Sequence, residues 1–296
     1  MTAFPESLPV VISSASQMRD WSTETRCAGH RVALVPTMGA LHEGHLALVR
    51  EARMHADRVV VSIFVNPTQF GPNEDYEAYP RTLESDLQAL GADGCCNVVY
   101  APTVQEMYPV GENVTWVTVD HMGDHLCGAA RPGHFRGVTT VVSKLFNMVM
   151  PQVAVFGLKD AQQFFILNRM TVEMGFGIEL VGIPTVRESD GLAMSSRNRY
   201  LTATERAAAP LLNASLQEAR YKVEAGERNA RTLTSTIRAQ IESESSCTVD
   251  YVQLVDTTDL QPIESLEPGS RVLLALAAFF GKARLIDNVL IDVPVD

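Results

Sequence analysis

Cysteine pairs at the C-x-x-C spacing are missing from this chain, and with them the usual marks of small secreted scaffolds and zinc modules. Its five cysteines (Cys27, Cys95, Cys96, Cys127, Cys247) are scattered, odd in number and form no C-x-x-C pair. No disulfide framework or structural zinc site is therefore expected, and a reducing, cytoplasmic compartment fits. No run approaches the roughly 20 apolar residues of a membrane span. The opening Met-Thr-Ala-Phe-Pro-Glu has neither a basic n-region nor a long apolar core, so no secretory leader is expected. Positive charge is scarce as well: 24 Lys and Arg stand against 35 Asp and Glu, a formal net charge of −11. Nucleic-acid-binding proteins carry the opposite footprint, so neither nucleic acid nor membrane is expected as a partner. A few local cations suffice for one small polyanion.

What is present is enough for a large core. The chain has 296 residues, 46% hydrophobic and 20% charged, which predicts an ordinary globular protein of two domains. Apolar runs at 32–35, 59–65, 98–100, 153–156 and 179–183 lack alternation, and helical patterns such as 83–90 and 138–150 separate them. Such strands are buried on both faces, so the N-terminal part reads as a doubly wound α/β domain with a parallel sheet. Beyond residue 200 the pattern changes. An N-cap at Thr202 or Thr204 opens a long amphipathic stretch to Gly226, a second helix covers 230–242, and strands follow at 249–255, 272–280 and 284–291. The expected division is a catalytic domain over 1–187 and a smaller α+β domain over 188–296.

In doubly wound folds, ligands gather at the carboxyl ends of strands. Most of the expected strands run straight into polar or glycine-containing sequence. Of these loops, Pro36-Thr37-Met38-Gly39-Ala40-Leu41-His42-Glu43-Gly44-His45 is the most informative. It joins a buried strand to a helix whose apolar positions are Leu46, Val49, Ala52 and Ala56. Unpaired N–H groups and the dipole at a helix N-terminus suit phosphate, and Gly39 and Gly44 allow close backbone approach. His42 and His45, three apart, share a face of the first turn. The order His-Glu-Gly-His is one residue short of the zinc-protease motif, which excludes that reading.

Six motifs in order resemble the pantoate–β-alanine ligases, also called pantothenate synthetases. Besides the histidine loop they are Phe64-Val65-Asn66-Pro67-Thr68-Gln69-Phe70-Gly71 with Tyr79-Pro80-Arg81-Thr82, Arg131-Pro132-Gly133-His134-Phe135, Phe156-Gly157-Leu158-Lys159-Asp160 with Gln162-Gln163, Asp190-Gly191-Leu192-Ala193-Met194-Ser195-Ser196-Arg197-Asn198, and Arg284-Leu285-Ile286-Asp287-Asn288. The resemblance spans essentially the whole chain. It implies a Rossmann-like nucleotidyltransferase fold of the His-x-Gly-His type, a homodimer, and a two-step reaction. Pantoate carboxylate attacks the α-phosphorus of ATP, giving pantoyl adenylate and pyrophosphate. The amine of β-alanine then displaces AMP. Magnesium is expected with ATP, held mainly by the phosphates.

Residue roles implied by the resemblance follow the chemistry, because displacement at phosphorus needs positioning and charge stabilisation. His42, His45, Lys159, Ser195, Ser196 and Arg197 are the catalytic candidates. Pro36, Thr37, Met38, Gly44, Gly157, Asp160, Val186 and Met194 join them around ATP, with Asp160 an acceptor for ribose hydroxyls. Met38, Gln69, Val142, Phe156 and Gln163 are assigned to pantoate, and Gln69, Tyr79, Arg131 and Arg197 to β-alanine. Taken alone, Arg131 could equally pair with a nearby carboxylate, and Val142 and Phe156 could be core. Asp86 is expected on a solvated helix face, an outer magnesium ligand being the alternative. Thr68, Leu158, Cys127 and Arg136 depart from residues common in the family, where methionine, Glu or Gln, glutamate, and a small or acidic residue respectively are frequent. The smaller domain is expected to act as a lid that keeps water from the adenylate. The rival readings are another nucleotidyltransferase of the superfamily and a non-catalytic nucleotide-binding homologue.

Overall fold

Valine-rich runs without alternation become the strands of one parallel sheet. The computed structural model describes residues 8–72, 74–111 and 114–295. Along the chain come β1 (Val10–Ile12), α1 (Ala15–Cys27), β2 (Val32–Thr37), α2 (Glu43–His55), β3 (Arg58–Ile63), α3 (Leu83–Asp93), β4 (Val98–Tyr100) and the single turn α4 (Val104–Met107). They are followed by the short α5 (Cys127–Ala130), α6 (His134–Val149), β5 (Val153–Gly157), α7 (Ala161–Glu173) and β6 (Glu179–Ile183). The chain ends with α8 (Ala203–Ala208), α9 (Leu211–Glu224), α10 (Ala230–Glu242), β7 (Cys247–Asp256), β8 (Arg271–Phe280) and β9 (Ala283–Asp292). No helix among the described residues is long and apolar enough to cross a membrane.

Two compact units result. Unit 1 holds the chain up to Val119, Arg131–Leu158 and Ile166–Pro184; unit 2 holds Asp120–Ala130, Lys159–Phe165 and Thr185–Asp296. In unit 1 the six strands run parallel in the order β1-β4-β3-β2-β5-β6. Alternate residues Ala33, Val35, Val59, Val61, Val99, Val153 and Val155 face Leu48, Val49 and Ala52 of α2 and Leu90 of α3. Their neighbours Leu34, Val60, Val98, Tyr100 and Ala154 point the other way and are also fully buried, with the Tyr100 hydroxyl 3.2 Å from Met148 Sδ on α6. Helices thus cover both faces, as the lack of alternation requires. The strand order reverses between β2 and β5. Their pairing stops at Leu34↔Ala154, although β2 continues to Thr37 and β5 to Gly157. The two strands part at their carboxyl ends and leave the crevice that such folds use for ligands. Pro36, which cannot donate, lies in β2 beyond the last β5 pair.

Unit 2 is built on the antiparallel sheet β7-β8-β9. One face packs Val252, Leu254, Leu274, Leu276, Leu285 and Val289 against Leu212 and Leu216 of α9 and Leu233 and Ile237 of α10. On the opposite face, Gln253 Oε1 accepts the Leu126 N–H at 3.0 Å, and Tyr251 meets Cys127 at 3.3 Å. The single helix expected from Thr202 to Gly226 is instead two, α8 and α9. Pro210, N-cap of α9, lacks the N–H that a continuous helix needs there. Thr202 and Glu205 form the capping box that starts α8.

Candidate active site

In unit 1 the candidate residues begin at the carboxyl end of β2. Thr37 Oγ1 donates to the Ser62 carbonyl at 2.8 Å and accepts the Gly39 N–H at 3.2 Å. Gly39 and Ala40 then both take positive φ, 82° and 51°. For alanine this conformation is strained, and Asp86 of α3 holds it. Its carboxylate accepts the Ala40 N–H at 3.0 Å, the Leu41 N–H at 2.8 Å and the Thr82 hydroxyl at 3.2 Å. Asp86 is only 3% exposed, which corrects its expected place on a solvated helix face. Gly39 is required on two counts, its φ and space: a Cβ there would sit 3.0 Å from Asp86 Oδ2.

The strapped loop delivers His42 as N-cap of α2. His42 Nδ1 accepts the Gly44 N–H at 3.2 Å, and His45 Nδ1 accepts the His42 N–H at 3.3 Å. The two rings lie 4.1 Å apart, centroid to centroid. With Nδ1 an acceptor in each, the neutral rings carry their proton on Nε2 and can donate it. Gly44 sits in the first turn of α2, where its N–H serves the His42 cap.

After β3 the chain forms a 3-10 turn, Pro67–Gln69, capped by Asn66. Asn66, 1% exposed, organises this corner and carried no role in the sequence reading. Its Oδ1 accepts from the Tyr108 hydroxyl at 2.7 Å and the Thr68 hydroxyl at 3.0 Å, while Nδ2 donates to Gln69 Oε1 at 3.1 Å and the Gly137 carbonyl at 3.2 Å. So oriented, Gln69 Nε2 points at Met38 Sδ, 3.2 Å away, and two residues assigned to pantoate meet. The turn presses on α6 so closely that a Cβ at Gly137 would lie 2.3 Å from the Thr68 carbonyl oxygen. Phe156 and Val142 are both 4% exposed and belong to the core.

Arg131 takes the carboxylate alternative. Its Nε donates to Glu74 Oε1 at 2.7 Å and its Nη2 to Oε2 at 2.5 Å, with a further bond to the Gln69 carbonyl at 3.3 Å. Burial alone would raise the Glu74 pKa, but the hydrogen bonds and charge of Arg131 outweigh it and hold the carboxyl below its ordinary value. Tyr79 is half-buried, edge-on to Phe70 with centroids 6.0 Å apart.

Unit 2 holds other candidates. Lys159 and Asp160 lie in a 3-10 turn, the former half-buried and the latter exposed. Gln163 is half-buried in the first turn of α7, beside Gln162, whose Nε2 donates to the carbonyls of Met122 and His125 at 3.0 and 2.8 Å. Val186 and Met194 are tied directly, the Met194 N–H donating to the Val186 carbonyl at 2.9 Å. Ser195 caps the 3-10 turn Ser196–Tyr200, its Oγ accepting the Arg197 N–H at 3.3 Å. Asn198 Nδ2 bonds Glu188 Oε1 at 3.0 Å and the Ala193 carbonyl at 3.1 Å, closing the loop on itself. Among the described residues no group of three or more His, Cys, Asp or Glu side chains could hold a metal ion.

The family model for pantoate-beta-alanine ligase matches residues 10–290. A pantothenate synthetase of Salinibacter ruber is 50% identical, covering 96% of this chain and 98% of the relative. One from Thermoanaerobacter sp. is 51% identical over 95% and 98%. Among solved structures, pantothenate synthetase from Thermus thermophilus is similar with a TM-score of 0.86 and 42% identity, over 96% of this chain and 99% of that one. The pantoate-beta-alanine ligase of Francisella tularensis, solved in complex with beta-gamma ATP and beta-alanine, gives a TM-score of 0.74 and 32% identity, over 95% and 97%.

Proposed function

The chain belongs to the pantoate–β-alanine ligase family and is an ATP-dependent ligase of pantoate and β-alanine, and from that premise we propose how its own residues divide the reaction. In the first step the pantoate carboxylate attacks the α-phosphorus of ATP and pyrophosphate leaves. Nε2–H groups of His42 and His45, at the N-terminus of α2, donate to phosphate oxygens as charge builds on them. Lys159 adds a point charge. Ser195, Ser196 and Arg197 contribute hydroxyls and a cation, and Asp160 accepts from the ribose. Pro36, Thr37, Met38, Gly44, Gly157, Val186 and Met194 complete the nucleotide's surroundings. Gln69 and Gln163 hydrogen-bond pantoate, with Met38, Val142 and Phe156 as its apolar wall. In the second step the amine of β-alanine attacks the acyl carbon and AMP leaves, with Gln69, Tyr79, Arg131 and Arg197 positioning the amino acid. Arg131, already paired with Glu74, acts here mainly by fixing the Gln69 main chain.

Magnesium comes with the nucleotide in this reading. The lack of an acidic cluster among the described residues fits an ion held by phosphate oxygens and water. A cytosolic homodimer is proposed with it, on the base rate for two-fold oligomers; light scattering on the purified chain tests the dimer.

The observation that carries the proposal is the pair of histidines whose Nδ1 atoms are both occupied by backbone N–H groups. They follow the strand end where β2 and β5 part. The test is pantoate-dependent exchange of labelled pyrophosphate into ATP without β-alanine. Exchange is expected, and His42→Ala should lower it by ~10²-fold or more, the usual loss for a transition-state donor. No exchange by protein that binds ATP would overturn the adenylate step, and an undiminished rate in His42→Ala would overturn its role.

A further inference from the structure

Edge strand β9 carries two polar residues in succession where its other inward positions are Leu285, Val289 and Ile291. These are Asp287 and Asn288, 2% and 8% exposed. Successive strand residues point to opposite faces. Asp287, paired with Leu276, lies on the helix-covered face and accepts from both terminal nitrogens of Arg187 at 2.7 and 2.9 Å. Asn288, paired with Ala275, points the other way and donates from Nδ2 to the Lys159 carbonyl at 2.9 Å. Its own N–H donates to Asp287 Oδ1 at 2.8 Å and ties the two together.

One dipeptide therefore grips the Lys159 turn on one face of the sheet and the serine loop on the other. Arg187 passes the hold on: its Nη1 also donates to the Gly191 carbonyl at 3.1 Å, and an antiparallel bridge joins Arg187 to Ala193, two residues before Ser195. Apolar residues of similar volume usually serve stability as well as a buried ion pair does, so packing gives no reason for this choice. A need for fixed geometry does. We propose that Asp287 and Asn288 are positioning residues of the adenylation step, holding Lys159 and the loop of Ser195, Ser196 and Arg197 in one register. This rests on the roles given to those residues above.

A double-mutant cycle on pyrophosphate exchange tests it. Lys159→Ala is expected to lower exchange on the order of 10²-fold. Asn288→Leu, which keeps volume but loses the donor, should lower kcat by roughly 10- to 10²-fold, the scale of an ångström-sized misplacement. If Asn288 acts through Lys159, the double variant is no slower than Lys159→Ala alone. Aminolysis of supplied pantoyl adenylate by β-alanine should stay within about twofold in Asn288→Leu, whereas a general structural defect would lower both steps alike. Asp287→Asn against Arg197→Ala makes the matching cycle on the other face. Should Asn288→Leu fail to fold, Asn288→Asp, isosteric but without an N–H for the Lys159 carbonyl, carries the same measurement. Multiplying effects in both cycles, with Lys159→Ala and Arg197→Ala themselves impaired, overturn the positioning role and leave the site assignment intact. Full exchange in Lys159→Ala overturns its assignment and, with it, the inference.

Discussion

Replacing Asp86 should cost both stability and adenylation, although this carboxylate is assigned no contact with substrate. It accepts two backbone N–H bonds, at 3.0 and 2.8 Å, and one hydroxyl bond at 3.2 Å. Truncation to alanine strands those donors, each unsatisfied buried donor costing about 1–3 kcal/mol. The loop residues themselves are only half-buried, so water recovers part of this, and a loss of about 2–3 kcal/mol follows for Asp86→Ala. Asp86→Asn keeps one acceptor oxygen but turns an NH2 toward an N–H, and should lose most of the same amount. The effect on activity comes from Ala40. Its φ of 51° costs an L-residue roughly 1–2 kcal/mol, and the two bonds to Asp86 are what hold it there. Freed, the loop relaxes, and His42 lies only two residues on. A displacement of about 1 Å at a transition-state donor is worth ~10²-fold in rate. Urea denaturation and pyrophosphate exchange measure the two effects. Stability within about 1 kcal/mol of wild type, together with undiminished exchange, would refute the reasoning.

Two further outcomes follow from the same corner of unit 1. Gly137→Ala places a Cβ 2.3 Å from the Thr68 carbonyl oxygen and 2.8 Å from Gln69 Cα; backbone cannot yield as a side-chain tip does, so a loss of about 1–3 kcal/mol and a raised KM for pantoate are expected from denaturation and steady-state kinetics. A wild-type KM would separate this contact from substrate binding. Glu74 supplies a pH dependence: its folded pKa lies below the ordinary 4.5, so its pairing with Arg131 stabilises fully above that value and is lost as pH falls through the depressed folded value. Stability curves of wild type and Glu74→Gln should therefore differ at pH 7 and converge in acid, and a gap that persists at the lowest pH would contradict the assignment.

Sequence patterns carried the architecture where a pattern reflects burial. The run Val98–Tyr100, buried at all three positions, lies at its expected bounds, because strands covered on both faces need apolar residues at every position; the edge strand Glu179–Ile183 also lies at its expected bounds, although none of its residues is buried. The same rule missed β1, only three residues long, two of them exposed. Amphipathic periodicity continues across Pro210, so the pattern alone does not show the division into α8 and α9. Asp86 and Gly137 were not legible. An acid in the first turn of α3 reads as a solvated residue that favours the helix dipole, and nothing local shows that its partners lie 46 and 45 residues away. A glycine inside α6 reads as a weak helix position until the turn at Gln69 is seen against it. Strand ends mark candidate site loops in the sequence itself; the contacts that support those loops leave no local mark, because they are long-range.

The same distinction explains the four residues that depart from the family's common choices. Thr68, where methionine is frequent, spends its hydroxyl on Asn66 Oδ1 and adds a donor to the residue that aims Gln69. Arg136 stacks its guanidinium 4.4 Å from the centre of the Trp116 ring, which gives the charge a local partner. Beside Cys127, the guanidinium of Arg284 has its carboxylate partner in Asp250, at 2.9 and 2.8 Å. The thiol stays in the same cluster, 3.3 Å from the Tyr251 hydroxyl and 3.8 Å from Arg284 Nη1. Leu158 touches the proposed chemistry through its neighbour Lys159. An apolar residue there withdraws a polar or acidic group from beside Lys159, and the lysine's register then depends the more on what holds its main chain, the Asn288 donor on β9.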